Sequence, residues 1–169
     1  MMDFNKTSPL TAKVLAHTEV PGYDMNEAIA WALDMLALGY DTPSLLTLAG
    51  LSNHEDYFEK SRYLDKTCQE LGLALKVGEA GIISYCSFFV KEIAQNRQVR
   101  NNLRKINSFS REKDYTHTDL LYEFCYLQWA WEDFDFGEEY SDYWFDATAT
   151  NIEHLVIETA KVWLDRNTS

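Results

Sequence analysis

Proline and glycine are scarce in this chain, which contains three prolines and seven glycines among its 169 residues. An all-β sandwich needs many tight turns, and such turns are rich in these two residues. A self-similar period, which would indicate a helical solenoid, is also missing. These absences favour a compact arrangement of a few longer helices.

Cysteine and long apolar runs are equally rare. The chain has only Cys68, Cys86 and Cys125, and the lack of a CxxC pair argues against a thiol-based zinc or redox centre. Residues 1–20 lack the apolar stretch of a signal peptide, and no apolar run is long enough to cross a membrane. We therefore expect buried, reduced thiols and a cytoplasmic protein that does not contact membranes.

Basic residues are few relative to acidic ones. The chain has 15 lysines and arginines against 27 aspartates and glutamates, and its formal net charge is −12. A compact body with this charge repels phosphate groups. The composition therefore disfavours a nucleic-acid-binding protein.

The residues that are present predict helices. Hydrophobic residues make up 46% of the chain, which is enough for one core, and one domain is typical of this length. Capping residues, apolar faces at helical spacing and glycine stops recur. They predict helices near residues 24–39, 43–49, 52–71, 79–94, 99–109, 119–134 and 150–166. We expect an all-α, single-domain bundle of about six or seven mostly antiparallel helices over residues 24–169, behind an N-terminal arm of residues 1–23.

A glycine stop, a turn and a proline that opens the next helix follow one another in residues 39–51, with the sequence GYDTPSLLTLAGL. Together with the preceding helix and Tyr57-Phe58, this segment resembles the opening of small helical bacterial proteins of unassigned activity. The resemblance covers about the first half of the chain. It implies a helical fold and, because the motif is structural, no catalytic residue.

Motifs for nucleotide binding and serine hydrolysis are absent, since the chain has no GxxxxGK[ST], GxGxxG or GxSxG. The four histidines (His17, His54, His117 and His154) lack the spacing of zinc or di-iron helices. Residues 133–137 resemble a calcium loop, but the glycine comes one place early and Trp144 stands where a glutamate is required. We therefore expect that the protein is not an enzyme and binds no cofactor or metal. The alternative is an enzyme whose active site is assembled from carboxylates and histidines in a helical groove.

Charge is distributed in two neighbouring blocks of opposite sign. Residues 91–113 contain seven lysines and arginines and two glutamates, whereas residues 114–160 contain twelve acidic residues and no lysine or arginine. Two helices with these charges could pack side by side and partly neutralise each other. Alternatively, the acidic block binds a basic partner.

The acidic block is also rich in aromatic residues, which anchor protein interfaces with large, rigid side chains. Trp131 and Phe134 continue the inward face of their helix, whereas Tyr140, Tyr143 and Trp144 lie beyond it in a turn. These turn aromatics either attach the turn to the bundle or bind a partner. The predicted interface residues are Trp129, Glu132, Asp133, Asp135, Glu138, Glu139, Tyr140, Asp142, Tyr143 and Trp144.

These patterns together predict a protein-binding module with an acidic, aromatic-rich docking surface for a basic protein. A bacterial immunity or inhibitor protein is one concrete form of such a module. The alternatives are the enzyme described above and a structural subunit whose exposed aromatics form a homodimer. Nucleic acids and membranes are not expected as partners.

Overall fold

The computed structural model describes residues 6–114 and 118–168, and this part of the chain is all-α without strands. It contains a short 3-10 helix at His17–Glu19 and eight α-helices, none of them both long and apolar enough to cross a membrane. The α-helices are α1 (Thr11–Val14), α2 (Asn26–Ala37), α3 (Pro43–Ala49), α4 (Tyr57–Leu71), α5 (Gly78–Ala94), α6 (Val99–Glu112), α7 (Thr118–Asp135) and α8 (Ile152–Asn167). The all-α prediction is confirmed.

Most helix ends lie where the sequence predicts them. Helix α2 ends just before Gly39, α3 begins at Pro43 after Thr42, and α4 ends at Gly72, whose φ is 68°. The predicted start of α4 near Ser52 is wrong. That helix begins at Tyr57 because the Asp56 carboxylate accepts a hydrogen bond from the Glu59 N–H at 2.8 Å and caps the first turn there.

The chain divides into two compact units, the first ending at Tyr85 and the second beginning at Cys86, inside α5. Residues 6–23, which the sequence analysis assigned to an arm, contribute Val14 and Leu15 to the core of the first unit. Their apolar side chains are buried with those of α2, so this stretch belongs to the first unit.

In the first unit, α2, α3 and α4 pack against one another around Trp31, Met35, Leu48 and Leu64. The indole N–H of Trp31 donates to the Thr11 hydroxyl at 2.9 Å, which joins α1 to α2. A buried indole needs such an acceptor because an unpaired polar group is costly inside a protein. The hydrogen bond therefore lets a large aromatic side chain fill the core.

Lys60 of α4 is a buried cation in the same unit, with 5% of its surface exposed. Its Nζ donates to Oδ1 of Asn26 and to the backbone oxygen of Asn53, both at 2.8 Å. These bonds connect α4 to the start of α2 and to the loop before α4. The lysine thus satisfies oxygens from two other parts of the unit.

The N-terminus of α3 is capped by a residue distant in sequence. Glu70 of α4 accepts hydrogen bonds from the Ser44 N–H at 3.0 Å and from the Ser44 hydroxyl at 2.6 Å. These bonds favour the charged carboxylate and hold the pKa of Glu70 below its ordinary value of 4.5. The cap therefore joins α3 to α4 at the point where α3 has free backbone N–H groups.

In the second unit, α6 packs against both α7 and α8, and α7 packs against α8. Leu103, Ile106, Phe124 and Trp163 are buried between them. The Trp163 indole donates to the backbone oxygen of Leu120 at 2.7 Å, and its ring meets that of Phe124 edge-on, with centroids 6.0 Å apart. These contacts fix α7, which carries the start of the candidate site, against α8.

All three cysteines are buried and free, as the sequence predicts. Burial, with the nearby Asp65 carboxylate, raises the pKa of the Cys68 thiol to about 11. Burial also raises the pKa values of Cys86 and Cys125. The thiols therefore behave as small hydrophobic groups of the core.

Candidate functional site

The predicted interface residues lie in one continuous stretch, residues 129–146, which we call the acidic–aromatic segment. It comprises the last two turns of α7 and the turn that follows. All of its residues belong to the second unit.

A glycine ends α7 and sets the direction of the segment. Gly137 has a φ of 91°, and its N–H donates to the backbone oxygen of Phe134 at 3.0 Å. The next N–H, of Glu138, donates to the backbone oxygen of Asp133 at 3.0 Å. Glycine adopts this left-handed conformation without steric cost, so Gly137 is a helix stop rather than the glycine of a calcium loop.

Side-chain hydrogen bonds hold the turn near both of its ends. The buried Ser141 hydroxyl donates to Oδ2 of Asp133 at 2.7 Å and accepts from the Tyr143 N–H at 3.2 Å. Farther along, the Asn151 amide donates to the backbone oxygen of Asp146 at 2.9 Å and accepts from the Thr148 N–H at 2.7 Å. The turn is therefore held in one conformation by its own polar groups.

Three aromatic side chains of the segment lie almost entirely in solvent. Phe136 is 87% exposed, Tyr140 is 80% exposed and Phe145 is 96% exposed. Of these three, only Tyr140 was among the predicted interface residues. Trp144, which was also predicted, is half-buried and precedes Phe145 in the chain. Phe136 and Phe145 could have been found from their positions in the turn, beside Gly137 and Asp146, where no helical face buries them.

A cluster of four rings forms the other part of the aromatic surface. Ring centroids lie 5.8 Å apart for Tyr122 and Tyr126, 5.5 Å for Tyr126 and Trp129, 5.2 Å for Trp129 and Tyr143, and 6.3 Å for Tyr126 and Tyr143. We call Tyr122, Tyr126, Trp129 and Tyr143 the four-ring cluster. Tyr122 and Tyr126 were not among the predicted interface residues, although their four-residue spacing on α7, off its inward face, indicates that they are neighbours.

The carboxylates on the helical part of the segment have partners within the second unit. Asp133 accepts from Ser141, and Glu132 accepts from the Gln128 amide at 2.7 Å. Asp135 forms an ion pair with Arg100 of α6 at 2.5 Å. The predicted neutralisation between the basic and acidic blocks therefore occurs at Asp135, where α6 packs on α7.

The carboxylates of the turn are different. Glu138, Glu139, Asp142 and Asp146 are exposed, and none of these carboxylates has a hydrogen-bond or ion-pair partner within residues 6–114 and 118–168. The stretch 136–146 therefore carries three exposed rings and four exposed carboxylates that alternate along the chain. It combines exposed aromatic side chains with charge of one sign.

Among the described residues, no hydrogen bond or ion pair joins a histidine to a carboxylate. Nδ1 of buried His17 lies 2.9 Å from the Val14 backbone oxygen, His54 and His154 are exposed, and His117 lies outside the described residues. Across the residues that the structure describes, no three His, Cys, Asp or Glu side chains are placed to hold a metal ion.

A cavity of about 430 Å³ lies in the second unit, at the start of α6. Its polar lining includes Arg100, Asn101 and Glu153, beside the ring of Trp131, and contains no histidine. A site built from paired carboxylates and a histidine is therefore not formed by the lining of this cavity.

No protein-family model matches the chain, and neither does any curated protein or any solved structure. The resemblance of residues 39–51 to small helical bacterial proteins thus stays a prediction.

Proposed function

We propose that this chain is a protein-binding module whose acidic–aromatic segment binds a basic protein. The observation that carries the proposal is the exposure of Phe136, Tyr140 and Phe145 in the same turn as four exposed carboxylates without partners. Transfer of apolar ring surface from water into an apolar environment is favourable, so a partner that covers these rings gains binding free energy. Several exposed aromatic side chains in one short segment are typical of a protein-binding surface.

The two kinds of side chain have different roles in this proposal. Glu138, Glu139, Asp142 and Asp146 attract lysines and arginines, which raises the association rate at low salt. Phe136, Tyr140 and Phe145 become buried in the complex, and buried anchors govern how slowly it dissociates. A basic partner with apolar pockets between its cations fits both features.

The hydrogen bonds of the turn support the same proposal. Hydrogen bonds of the Ser141 and Asn151 side chains hold the backbone of the turn that carries the exposed rings. A surface that is already ordered loses little conformational entropy when it binds. Ordered backbone combined with fully exposed rings therefore favours a docking surface over a loosely attached loop.

An inhibitor or bacterial immunity protein is the form of binding module that we propose. Proteins that act on nucleic acid carry basic surfaces, because they neutralise phosphates with lysine and arginine. A compact acidic protein with a net charge of −12 can occupy such a surface. The partner would then be a basic, nucleic-acid-acting protein.

The proposal can be tested with a displayed library of random peptides selected on the full chain. We expect the selected peptides to be enriched in lysine and arginine together with apolar residues. We expect these peptides to bind the Glu138→Lys/Glu139→Lys double variant more weakly than the wild type, because they associate with it more slowly. The difference should be largest at low salt. Asp41→Lys/Glu55→Lys is the matched control, since it makes the same change in net charge at two exposed carboxylates of the first unit.

The anchors are tested with Phe145→Ala. We expect faster dissociation and a loss of about 30-fold in affinity, which corresponds to about 2 kcal/mol. Phe58→Ala is the control, because Phe58 is 81% exposed and belongs to the first unit. Phe145 is a cleaner test than Trp144, since truncating a half-buried side chain also lowers stability.

Two results would contradict the proposal. One is that the selected peptides bind the charge-reversed variant and its control equally well. The other is that the chain forms a dimer in sedimentation experiments which Phe145→Ala dissociates, because the exposed rings would then belong to a homodimer interface.

A further inference from the structure

We infer that the four-ring cluster binds an arginine side chain of the partner, with the guanidinium stacked on the rings of Tyr126, Trp129 and Tyr143. This inference rests on the proposed function and names the side chain that the docking surface recognises. It concerns a part of the surface distinct from the three fully exposed rings of the turn.

The rings of Tyr126, Trp129 and Tyr143 all lie next to one another. Each centroid lies within 6.3 Å of the other two, and the ring planes are tilted by 38° to 59° to one another. Tyr126 is 39% exposed and Tyr143 is 46% exposed, so both retain area that a ligand can cover. The surface is held in place because Ser141, which accepts from the Tyr143 N–H, is bonded to Asp133 of α7.

The second unit already contains one arginine bound in this way. The guanidinium carbon of Arg100 lies 4.4 Å from the ring centroid of Trp131, and its Nη2 pairs with Asp135 at 2.5 Å. Trp131 and Asp135 are four residues apart on α7, so a ring and a carboxylate on one helix hold the planar cation. Side chains of this helix therefore provide the two contacts that a guanidinium needs.

The first unit shows the same arrangement at Arg62, whose guanidinium carbon lies 5.0 Å from the Tyr63 ring centroid while Nη2 pairs with Glu59 at 2.8 Å. Lysine nitrogens lie farther from their rings: 5.5 Å for Lys66 on Tyr63, 5.6 Å for Lys105 on Phe89 and 5.8 Å for Lys13 on Tyr85. In these contacts, arginine approaches aromatic rings more closely than lysine does.

The chemistry of the two cations explains this difference. A guanidinium is planar and weakly hydrated, so its flat face can lie against a ring. An ammonium group is compact and strongly hydrated, so it loses more hydration free energy than a guanidinium does when it contacts a ring. A surface of several rings therefore favours arginine over lysine at equal charge.

A carboxylate that could pair with the bound arginine comes from the residue next to Tyr143 in the chain. Asp142 precedes Tyr143 in the chain, is exposed and has no ion-pair partner among the described residues. The stretch 114–160 contains no lysine or arginine of its own. No cation of that stretch competes for Asp142, so in the proposed complex an arginine of the partner pairs with it.

The inference is tested with two peptides of equal charge, one with four arginines alternating with glycines and one with four lysines in the same places. Binding to the full chain is measured by fluorescence anisotropy of a labelled peptide. We expect the arginine peptide to bind about fivefold more tightly or better, as stacking at a partly exposed site implies.

The role of the rings is tested with Tyr143→Leu, which keeps an apolar side chain and removes the ring. This variant should abolish the preference for arginine. Tyr57→Leu is the matched control: it removes a half-exposed tyrosine of the first unit, outside the docking surface, so it should leave the ratio of the two affinities unchanged. Tyr126→Leu provides a second test in case Tyr143→Leu disturbs the turn.

The possible results separate the inference from the proposed function. Equal binding of the two peptides overturns the arginine site. If both peptides are then weakened by Glu138→Lys/Glu139→Lys and not by Asp41→Lys/Glu55→Lys, the docking function stands. Failure of both peptides to bind overturns the arginine site and contradicts a docking surface for basic partners as well.

Discussion

Lys60 shows how a single residue can join several parts of the first unit. Its buried ammonium group has two neutral oxygen acceptors, on Asn26 and Asn53, at equal distances of 2.8 Å. The cost of burying its charge is therefore offset by hydrogen bonds that hold the start of α2 and the loop before α4.

We predict that Lys60→Met lowers the free energy of unfolding by about 1–2 kcal/mol, because both oxygens lose their donor while the apolar stem is kept. Urea denaturation measures the change. Lys66→Met is the control on the same helix, where the lysine is exposed, and it should change stability by about 0.5 kcal/mol or less. Equal unfolding midpoints for the two variants would show that the hydrogen bonds of Lys60 contribute nothing.

At the scale of a helix, α3 depends on another element. It has seven residues, which is too short for a stable isolated helix. The sequence predicts its start from Thr42-Pro43, yet the Thr42 side chain makes no capping hydrogen bond and the Glu70 carboxylate of α4 takes that place. Glu70 is 26 residues from Ser44, and no local pattern predicts a capping contact over that distance.

This cap predicts a dependence of stability on pH. Since the pKa of Glu70 is lowered by hydrogen bonds from Ser44, its contribution is fully present above the ordinary value of 4.5 and is lost as the pH falls through the lower folded-state pKa. Glu70→Gln should therefore be less stable than the wild type at neutral pH, and the difference should close in acid.

Thermal unfolding between pH 3 and pH 7 measures this difference. Glu55→Gln, at an exposed carboxylate just before α4, is the control and should run parallel to the wild type. A gap between wild type and Glu70→Gln that stays constant with pH would contradict the cap as a source of acid sensitivity.

For the whole molecule, the three thiols report on both units, since Cys68 belongs to the first and Cys86 and Cys125 belong to the second. Burial makes them inaccessible and raises their pKa values, to about 11 for Cys68. We predict that a bulky thiol reagent labels the native chain at least about a thousandfold more slowly than the denatured chain. Rapid labelling of one thiol in the native chain would show that its surroundings open locally.

The whole fold was more predictable from the sequence than the candidate site. Apolar periodicity and glycine stops predict the helices because both act within a few residues. The exposure of a side chain in a turn depends on contacts with residues distant in sequence. Tyr143 is partly covered by the rings of Trp129 and Tyr126, whereas Phe145 is almost entirely exposed. Sequence alone therefore placed the acidic–aromatic segment but could not separate its packed rings from its exposed ones.

The hydrogen bonds of Ser141 and Asn151 hold the turn without using the side chains of Phe136, Tyr140 or Phe145. The polar residues that hold the backbone of the turn are therefore different from the three exposed rings that would anchor a partner. Mutations at the exposed rings can therefore change the binding surface while the hydrogen bonds of Ser141 and Asn151 keep the backbone of the turn intact. A lineage carrying this turn could change its binding specificity through a few substitutions at three positions, without first acquiring a new fold.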